Sequence, residues 1–209
     1  MRADVSLNRF GWLYRLDYKK LIIVAFLLRL ITASTYDIYV TITGRDILLP
    51  DSKFYSVRGR YVDLLLQGYD KESVTRDLLP NDKASLDIFI DTMDLEHGKL
   101  SPILRDSTTI FFYVVGIIYF VLGYSTIWVR VFNIALSICS VYLLFRVAKK
   151  HFGELAANLF LLIALFLPSQ FGYSITLCRD FMRVFIVSFI VWLFYNAGDL
   201  WIKRLKFRF

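Results

Sequence analysis

The chain has 209 residues, of which 57% are hydrophobic and 17% aromatic, and its formal net charge is +7. A soluble domain of this length rarely carries so much apolar surface, so the composition favours an all-α integral membrane protein. No long basic run and no zinc-finger pattern occur, which argues against nucleic acid as a partner, and the two cysteines are too few for a disulfide framework.

Apolar runs set the predicted membrane topology. A helical span takes about 17–25 residues, and four runs are long enough: 21–42, 126–147, 155–172 and 181–198. The further run at 109–123 is short and contains two glycines. Runs of that length are more often interfacial or re-entrant, so we expect it to lie on the membrane surface or dip into it.

The distribution of charge predicts the direction of these spans. Basic residues cluster before the first span, after the second and after the last, whereas segment 41–108 carries 9 Lys/Arg against 12 Asp/Glu. The positive-inside rule therefore places residues 1–20 and the tail 199–209 in the cytoplasm and the loop 43–125 outside. This holds only if the short run does not cross. We expect four spans in the cell (inner) membrane, with both termini cytoplasmic.

The outer loop is too long to be a plain connector. Apolar side chains recur in it at helical spacing from Leu86 to Met93, while aspartates from Asp87 to Asp94 take the opposite face. This pattern predicts an amphipathic juxtamembrane helix. A solvated helix face explains the aspartates more simply than a metal site does, so neither a metal nor a cofactor is predicted.

Asp51 lies a few residues past the end of the first span, where the chain leaves the bilayer on the outer side. If the chain is helical from there, Asp51, Tyr55 and Arg58 stand at i, i+4 and i+7 and share one face. An acid, an aromatic hydroxyl and a cation at a membrane surface could act on a lipid-borne substrate. Ordinary surface residues would show the same pattern, and Asp51 after Pro50 is also a common helix N-cap.

Short motifs follow one another in a defined order along the chain. Each alone is weak, because it consists mainly of apolar residues with glycine or proline. In chain order they are Leu27-Leu28-Arg29, Pro50-Asp51-Ser52 with Tyr55, Leu65-Leu66-Gln67-Gly68, Leu122-Gly123-Tyr124-Ser125, Arg130-Val131-Phe132-Asn133, Phe152-Gly153, Leu165-Phe166-Leu167-Pro168, Tyr173-Ser174 and Arg179-Asp180.

The ordered set, which covers residues 20–195, resembles the N-terminal part of GT-C fold glycosyltransferases that use polyprenyl-phosphate sugars, the membrane mannosyl- and aminoarabinosyltransferase type. The resemblance implies a GT-C-like fold and a donor substrate bound from the bilayer. It also implies that Asp51 is the general base that takes a proton from the acceptor hydroxyl. Position 52 is serine where many members have a second acid, so no paired carboxylate is implied there.

Charged residues near the span ends are candidates for the remaining site. Asp180 is the second catalytic candidate. Arg130, Arg179 and Arg183 are candidate ligands for the lipid phosphate, because a guanidinium fork fits phosphate oxygens. Simpler interpretations are an i, i+3 ion pair between Asp180 and Arg183 and snorkelling of Arg130 to the headgroups.

Two functions follow from these observations. The first is a membrane glycosyltransferase, or its N-terminal half, which moves a sugar from a polyprenyl phosphate to an acceptor on the outer face, with Tyr55 and Arg58 near the substrate. The second is a non-catalytic GT-C-like subunit that serves as a scaffold for a second membrane subunit. The chain length favours the second, because GT-C enzymes usually have about twice as many residues. A channel or transporter ranks last, since the spans carry neither the pair of glycine-broken segments nor the polar stripe that is expected of that class.

Overall fold

The computed structural model describes residues 11–43, 52–82 and 107–206, and every regular element in these ranges is a helix. This confirms the predicted all-α class for the described part of the chain. Short helical turns occupy Gly11–Tyr14, Lys71–Ser73, Val74–Leu78 and Pro80–Asp82. The longer helices are α1 (Tyr18–Thr43), α2 (Ser52–Leu66), α3 (Ser107–Leu122), α4 (Thr126–Phe166), α5 (Pro168–Ser174) and α6 (Asp180–Lys206).

Two of these helices, α1 and α4, are long and apolar enough to cross a membrane, judged by length and composition. Helix α1 contains the predicted span 21–42, and α4 contains the predicted span 126–147 and the first part of 155–172. Helix α3 is apolar over Ile110–Leu122 but shorter. For the predicted spans 155–172 and 181–198, the prediction therefore rests on the sequence pattern.

Helix α4 is interrupted at Gly153, where φ is 82° and ψ is 177°. This break separates the predicted runs 126–147 and 155–172. The second run is itself divided, because α4 ends at Phe166 and α5 begins at Pro168. Proline has no N–H to donate to the carbonyl four residues earlier, so the helix cannot continue through position 168 unchanged.

The described chain divides into two compact units. The first unit contains residues 11–32, 134–174 and 180–206, and the second contains 33–43, 52–82, 107–133 and 175–179. In the first unit the ring of Phe145 is 1% exposed and lies 5.5 Å from the ring of Tyr18. Asn158 donates to the Leu13 carbonyl at 2.7 Å, which fixes the turn before α1 to the second half of α4.

Close contact between α2 and α3 organises the second unit. A Cβ atom added at Gly116 would lie 2.6 Å from Val62 Cβ and 3.1 Å from the Gly59 carbonyl oxygen. A Cβ added at Gly59 would lie 2.2 Å from Val115 Cγ1. The two helices therefore approach as closely as they do because glycine occupies both facing positions, a use of small residues that is common between membrane helices.

Three glycines of the motif set have positive φ, a conformation that other residues adopt at a cost. These are Gly68 (95°), Gly123 (86°) and Gly153 (82°). Gly68 ends α2 with a Schellman pattern, in which Gly68 N–H bonds the Leu65 carbonyl at 3.0 Å and Tyr69 N–H bonds the Leu64 carbonyl at 3.2 Å. Each of these three motifs therefore has a structural role at a helix end or break.

Candidate functional site

A buried stretch without helical structure, Ile175–Cys178, joins α5 to α6. Backbone groups of a buried irregular segment need hydrogen-bond partners, and two side chains of α4 supply them. Arg130 Nη1 donates to the Ile175 carbonyl and Asn133 Nδ2 to the Thr176 carbonyl, both at 2.8 Å. Arg130 and Asn133 are 1% and 0% exposed. The Arg-x-x-Asn motif therefore holds this segment, since residues three apart share a helix face.

The charge of Arg130 is neutralised by Asp37 of α1. Arg130 Nε lies 3.0 Å from Asp37 Oδ1, and the Thr126 hydroxyl donates to the same oxygen at 2.5 Å. The guanidinium carbon is 5.1 Å from the centre of the Tyr36 ring. Asp37 is absent from the predicted site, although an acid inside one apolar run and an arginine inside another are a signal for such a pair.

This arrangement changes the interpretation of Arg130 as a phosphate ligand. Two of its three guanidinium nitrogens already donate to Asp37 and Ile175. A phosphate at this position would share the guanidinium with a carboxylate of the same charge sign. Snorkelling to the headgroups does not describe Arg130 either, because the side chain is buried against protein groups.

Tyr55 and Arg58 both lie on α2, as the predicted shared face requires, but they make packing contacts. Tyr55 is 7% exposed, and its ring lies 5.3 Å from Phe111 and 5.7 Å from Phe112. The Arg58 guanidinium lies over the Phe54 ring at 3.3 Å, within cation–π range. Asp51 lies outside the described residues, as does the predicted amphipathic helix of the outer loop.

A buried carboxylate on α2, Asp63, was also missed by the sequence interpretation. Asp63 is 0% exposed and forms an ion pair with Arg60, three residues before it. The Gln67 amide donates to its other oxygen at 2.7 Å. Both partners are within about one turn of Asp63, so this carboxylate is satisfied locally, although the Arg60 side chain is 28% exposed. The i, i+3 and i, i+4 spacing in the sequence was the available signal.

A cavity of about 260 Å³ lies between α5 and the first turn of α6 in the first unit. It places the predicted catalytic residue Asp180 beside a phenol, an amide and a hydroxyl group. Arg183 Nη1 lies 3.5 Å from Asp180 Oδ1, which matches the i, i+3 pair expected from the sequence. The lining residues are Ser169, Gln170, Tyr173, Asp180, Phe181 and Val184.

Arg179, the third candidate for the phosphate, is half-buried and directly precedes α6. It belongs to the second unit with the segment that Arg130 and Asn133 hold. The predicted arginines therefore fall into different settings: Arg183 flanks the cavity at Asp180, whereas Arg130 is a structural partner of Asp37.

Arg29, in the motif of α1, is completely buried and has neutral partners in the first unit. Its Nη1 donates to the Ser137 hydroxyl at 2.9 Å and its Nη2 to the Leu165 carbonyl at 2.8 Å. The Phe171 ring centre lies 5.6 Å from the guanidinium carbon. Leu165 is in the last turn of α4, where the break before Pro168 leaves carbonyl groups without their usual helical donors.

Among the residues that the structure describes, no group of three or more His, Cys, Asp or Glu side chains is arranged to hold a metal ion. A comparison with protein-family models, curated proteins and solved structures finds no match to this chain. The resemblance to GT-C glycosyltransferases thus depends on the ordered motifs alone.

Proposed function

We propose that this chain is an integral membrane protein of four spans, with both termini in the cytoplasm, and that it transfers a sugar from a polyprenyl phosphate to an acceptor on the outer face. Two long apolar helices and the basic clusters at one set of span ends support the membrane placement. The motif order supports the GT-C-like arrangement and the donor.

The cavity at Asp180 is the observation that carries the catalytic proposal. It combines a carboxylate, the Tyr173 phenol and the Gln170 amide, groups that donate to and accept from several hydroxyls at once. Its volume of about 260 Å³ is below the roughly 300–1,000 Å³ of pockets for drug-sized ligands. A site of this size accommodates one sugar ring, with the lipid chain outside it.

In this proposal Asp51 removes the proton from the acceptor hydroxyl as that oxygen attacks the sugar carbon. Asp180 orients the sugar and Arg183, held beside it at 3.5 Å, meets the donor phosphate. The lipid phosphate is the leaving group, and the guanidinium stabilises the negative charge that develops on it.

A second function, a non-catalytic subunit of a larger membrane assembly, is favoured by a specific observation. Arg130, Tyr55 and Arg58, three of the side chains predicted to meet substrate, are occupied by contacts within the protein. A fold that uses these groups for packing keeps the family's architecture without needing its chemistry. The scaffold would then present the same helices to a second membrane subunit.

Transfer assays with purified protein in lipid distinguish the two functions. The protein is supplied with a panel of polyprenyl-phosphate sugars and lipid or protein acceptors, and transfer is followed with radiolabelled sugar. Asp51→Asn is expected to lower transfer by about 10²–10⁴-fold, the usual contribution of a general base. Asp180→Asn is expected to raise the KM for donor as well as lower kcat.

The matched control is Asp77→Asn, which removes an exposed carboxylate paired with Arg76 outside the proposed site. It should transfer at the wild-type rate. Transfer that survives Asp51→Asn would refute the role of Asp51. If folded wild-type protein transfers no sugar from any donor, the scaffold function replaces the enzymatic one.

A further inference from the structure

A basic pocket of about 210 Å³ lies between α4 and α6 in the first unit, away from Asp180 and its cavity in sequence and in lining residues. Its two walls are joined directly. Lys150 Nζ donates to the Tyr195 carbonyl at 3.2 Å, and the His151 ring lies 4.5 Å from the Tyr195 ring, edge to face. The lining residues are Arg146, Val147, Lys149, Lys150, Trp192 and Tyr195.

The charge of this pocket is strongly positive. Three cations line it, and no carboxylate is among its lining residues. Lys149 pairs with Glu154 at 2.6 Å, just outside the pocket, and Arg146 Nη1 lies 3.1 Å from the Tyr142 hydroxyl. Among the described side chains, one carboxylate against three cations leaves an excess of two positive charges, which selects an anionic ligand.

Apolar side chains continue from the pocket along α6. Phe189 is 40% exposed, and its ring stacks on the Trp192 ring at 5.9 Å and on the Phe185 ring at 6.1 Å between ring centres. These rings form an apolar stripe that begins at Trp192, which lines the pocket. Tryptophan and tyrosine are enriched where a membrane protein meets the headgroup region. An anion site that continues into an apolar stripe has the two parts of a phospholipid-binding site.

We propose that this pocket binds the phosphate of an anionic phospholipid, with an acyl chain lying along the stripe on α6. Arg146 and Lys150 contact the phosphate oxygens, and the Trp192 indole N–H supplies a further donor. Basic pockets between helices on the cytoplasmic side are typical sites for anionic headgroups. The proposal uses none of the residues assigned to sugar transfer and stands whether or not the chain is an enzyme.

Trp192 provides a direct readout of binding. In a variant in which Trp12, Trp128 and Trp201 are replaced by phenylalanine, the full chain in a neutral detergent is titrated with dioctanoyl phosphatidylglycerol, dioctanoyl phosphatidylcholine or inorganic phosphate. The Trp192 emission is expected to change saturably with phosphatidylglycerol. The apparent Kd for the other two probes is expected to be at least tenfold weaker.

Two variants test which charges are responsible. Arg146→Gln with Lys150→Gln is expected to weaken phosphatidylglycerol at least tenfold, and Arg146→Gln alone by a smaller factor. Lys150→Gln removes a contact between α4 and α6 and could disturb the fold. Among the described contacts, Arg146 bonds only to a side chain of its own helix, so Arg146→Gln alone should leave the fold intact. The control, Lys19→Gln with Lys20→Gln, removes the same charge from exposed positions outside the pocket.

The outcomes separate the possible ligands. Equal binding of phosphatidylcholine and phosphatidylglycerol overturns the proposal, as does equal weakening by the control pair. Inorganic phosphate that binds as tightly as phosphatidylglycerol would overturn the lipid as the ligand and make the pocket a site for free anions.

Discussion

Among the described residues, each of the two compact units contains an arginine that is at most 1% exposed, and the surroundings of its charge differ. In the second unit Arg130 has a carboxylate partner, Asp37, at 3.0 Å. In the first unit the partners of Arg29 are a hydroxyl, a backbone carbonyl and the face of a phenylalanine ring. The two arginines lie in similar apolar runs of the sequence, but Arg130 has an anionic partner, whereas the partners of Arg29 are neutral.

The two sites are therefore expected to tolerate different substitutions. Removing one partner of a buried ion pair leaves an uncompensated charge, which is strongly destabilising. Removing a buried charge that has only neutral partners leaves neutral polar groups behind and also removes a desolvated ion. Removal of the carboxylate that pairs with Arg130 should therefore have a large effect in the second unit, whereas removal of the Arg29 charge should have a small one in the first.

The largest effect is expected for Asp37→Ala. The Arg130 guanidinium would stay 1% exposed without its carboxylate, and breaking such a pair costs about 3–5 kcal/mol. The free energy of unfolding, measured by denaturant titration in mixed micelles with circular dichroism as the signal, checks this.

Two controls sharpen that measurement. Glu154→Ala removes the acid of a half-exposed pair with Lys149 and should cost at most about 1 kcal/mol. The double variant Asp37→Ala with Arg130→Met removes both charges and should recover part of the loss, since it also leaves the Ile175 carbonyl without Arg130 as its donor. A double variant as unstable as Asp37→Ala alone would contradict the account of the charge pair.

A smaller effect, also different between the units, is expected at two helical glycines. Gly116→Ala places a Cβ atom 2.6 Å from Val62 Cβ in the second unit, whereas a Cβ at Gly172 in α5 meets no atom within 4 Å. Overpacking of this kind costs about 1–3 kcal/mol. Gly172→Ala should be neutral or stabilising. Thermal unfolding of both variants in one detergent tests the contrast, which fails if they shift the midpoint equally.

The smallest effect is expected for Arg29→Met. It leaves the Ser137 hydroxyl and the Leu165 carbonyl without this donor but relieves the burial of a charge, so the free energy of unfolding should change by about 1 kcal/mol or less. The same denaturant titration measures it. A loss as large as that of Asp37→Ala would show that Arg29 has an anionic partner after all.

The sequence predicted the helical class and the positions of the long apolar helices well, because a run of about twenty apolar residues is a signal that needs no tertiary information. The first span was predicted at 21–42 and α1 runs from Tyr18 to Thr43. The division of the 155–172 run at Pro168 was not predicted, although proline was visible there. Apolar composition alone does not report where a helix stops and restarts.

The site was predicted less well, for a physical reason. A charged residue in an apolar run must find a partner, but that partner lies far away in sequence, as Ser137 does for Arg29 and Asp37 does for Arg130. Sequence spacing reveals partners only within one helix, as with Asp180 and Arg183. The Arg-x-x-Asn motif is ambiguous in another way. It belongs to the set that resembles a glycosyltransferase family, but here its two side chains donate to backbone carbonyls.

The break at Gly153 makes the turn around it an experimental handle on the membrane orientation. Phe152 is 76% exposed, and the space next to Gly153 Cα is open. A cysteine placed at 152, in a background in which Cys139 and Cys178 are replaced by alanine, can be labelled with a membrane-impermeant maleimide. Labelling in inverted vesicles but not in intact cells would assign this turn to the cytoplasm, as the proposed orientation requires.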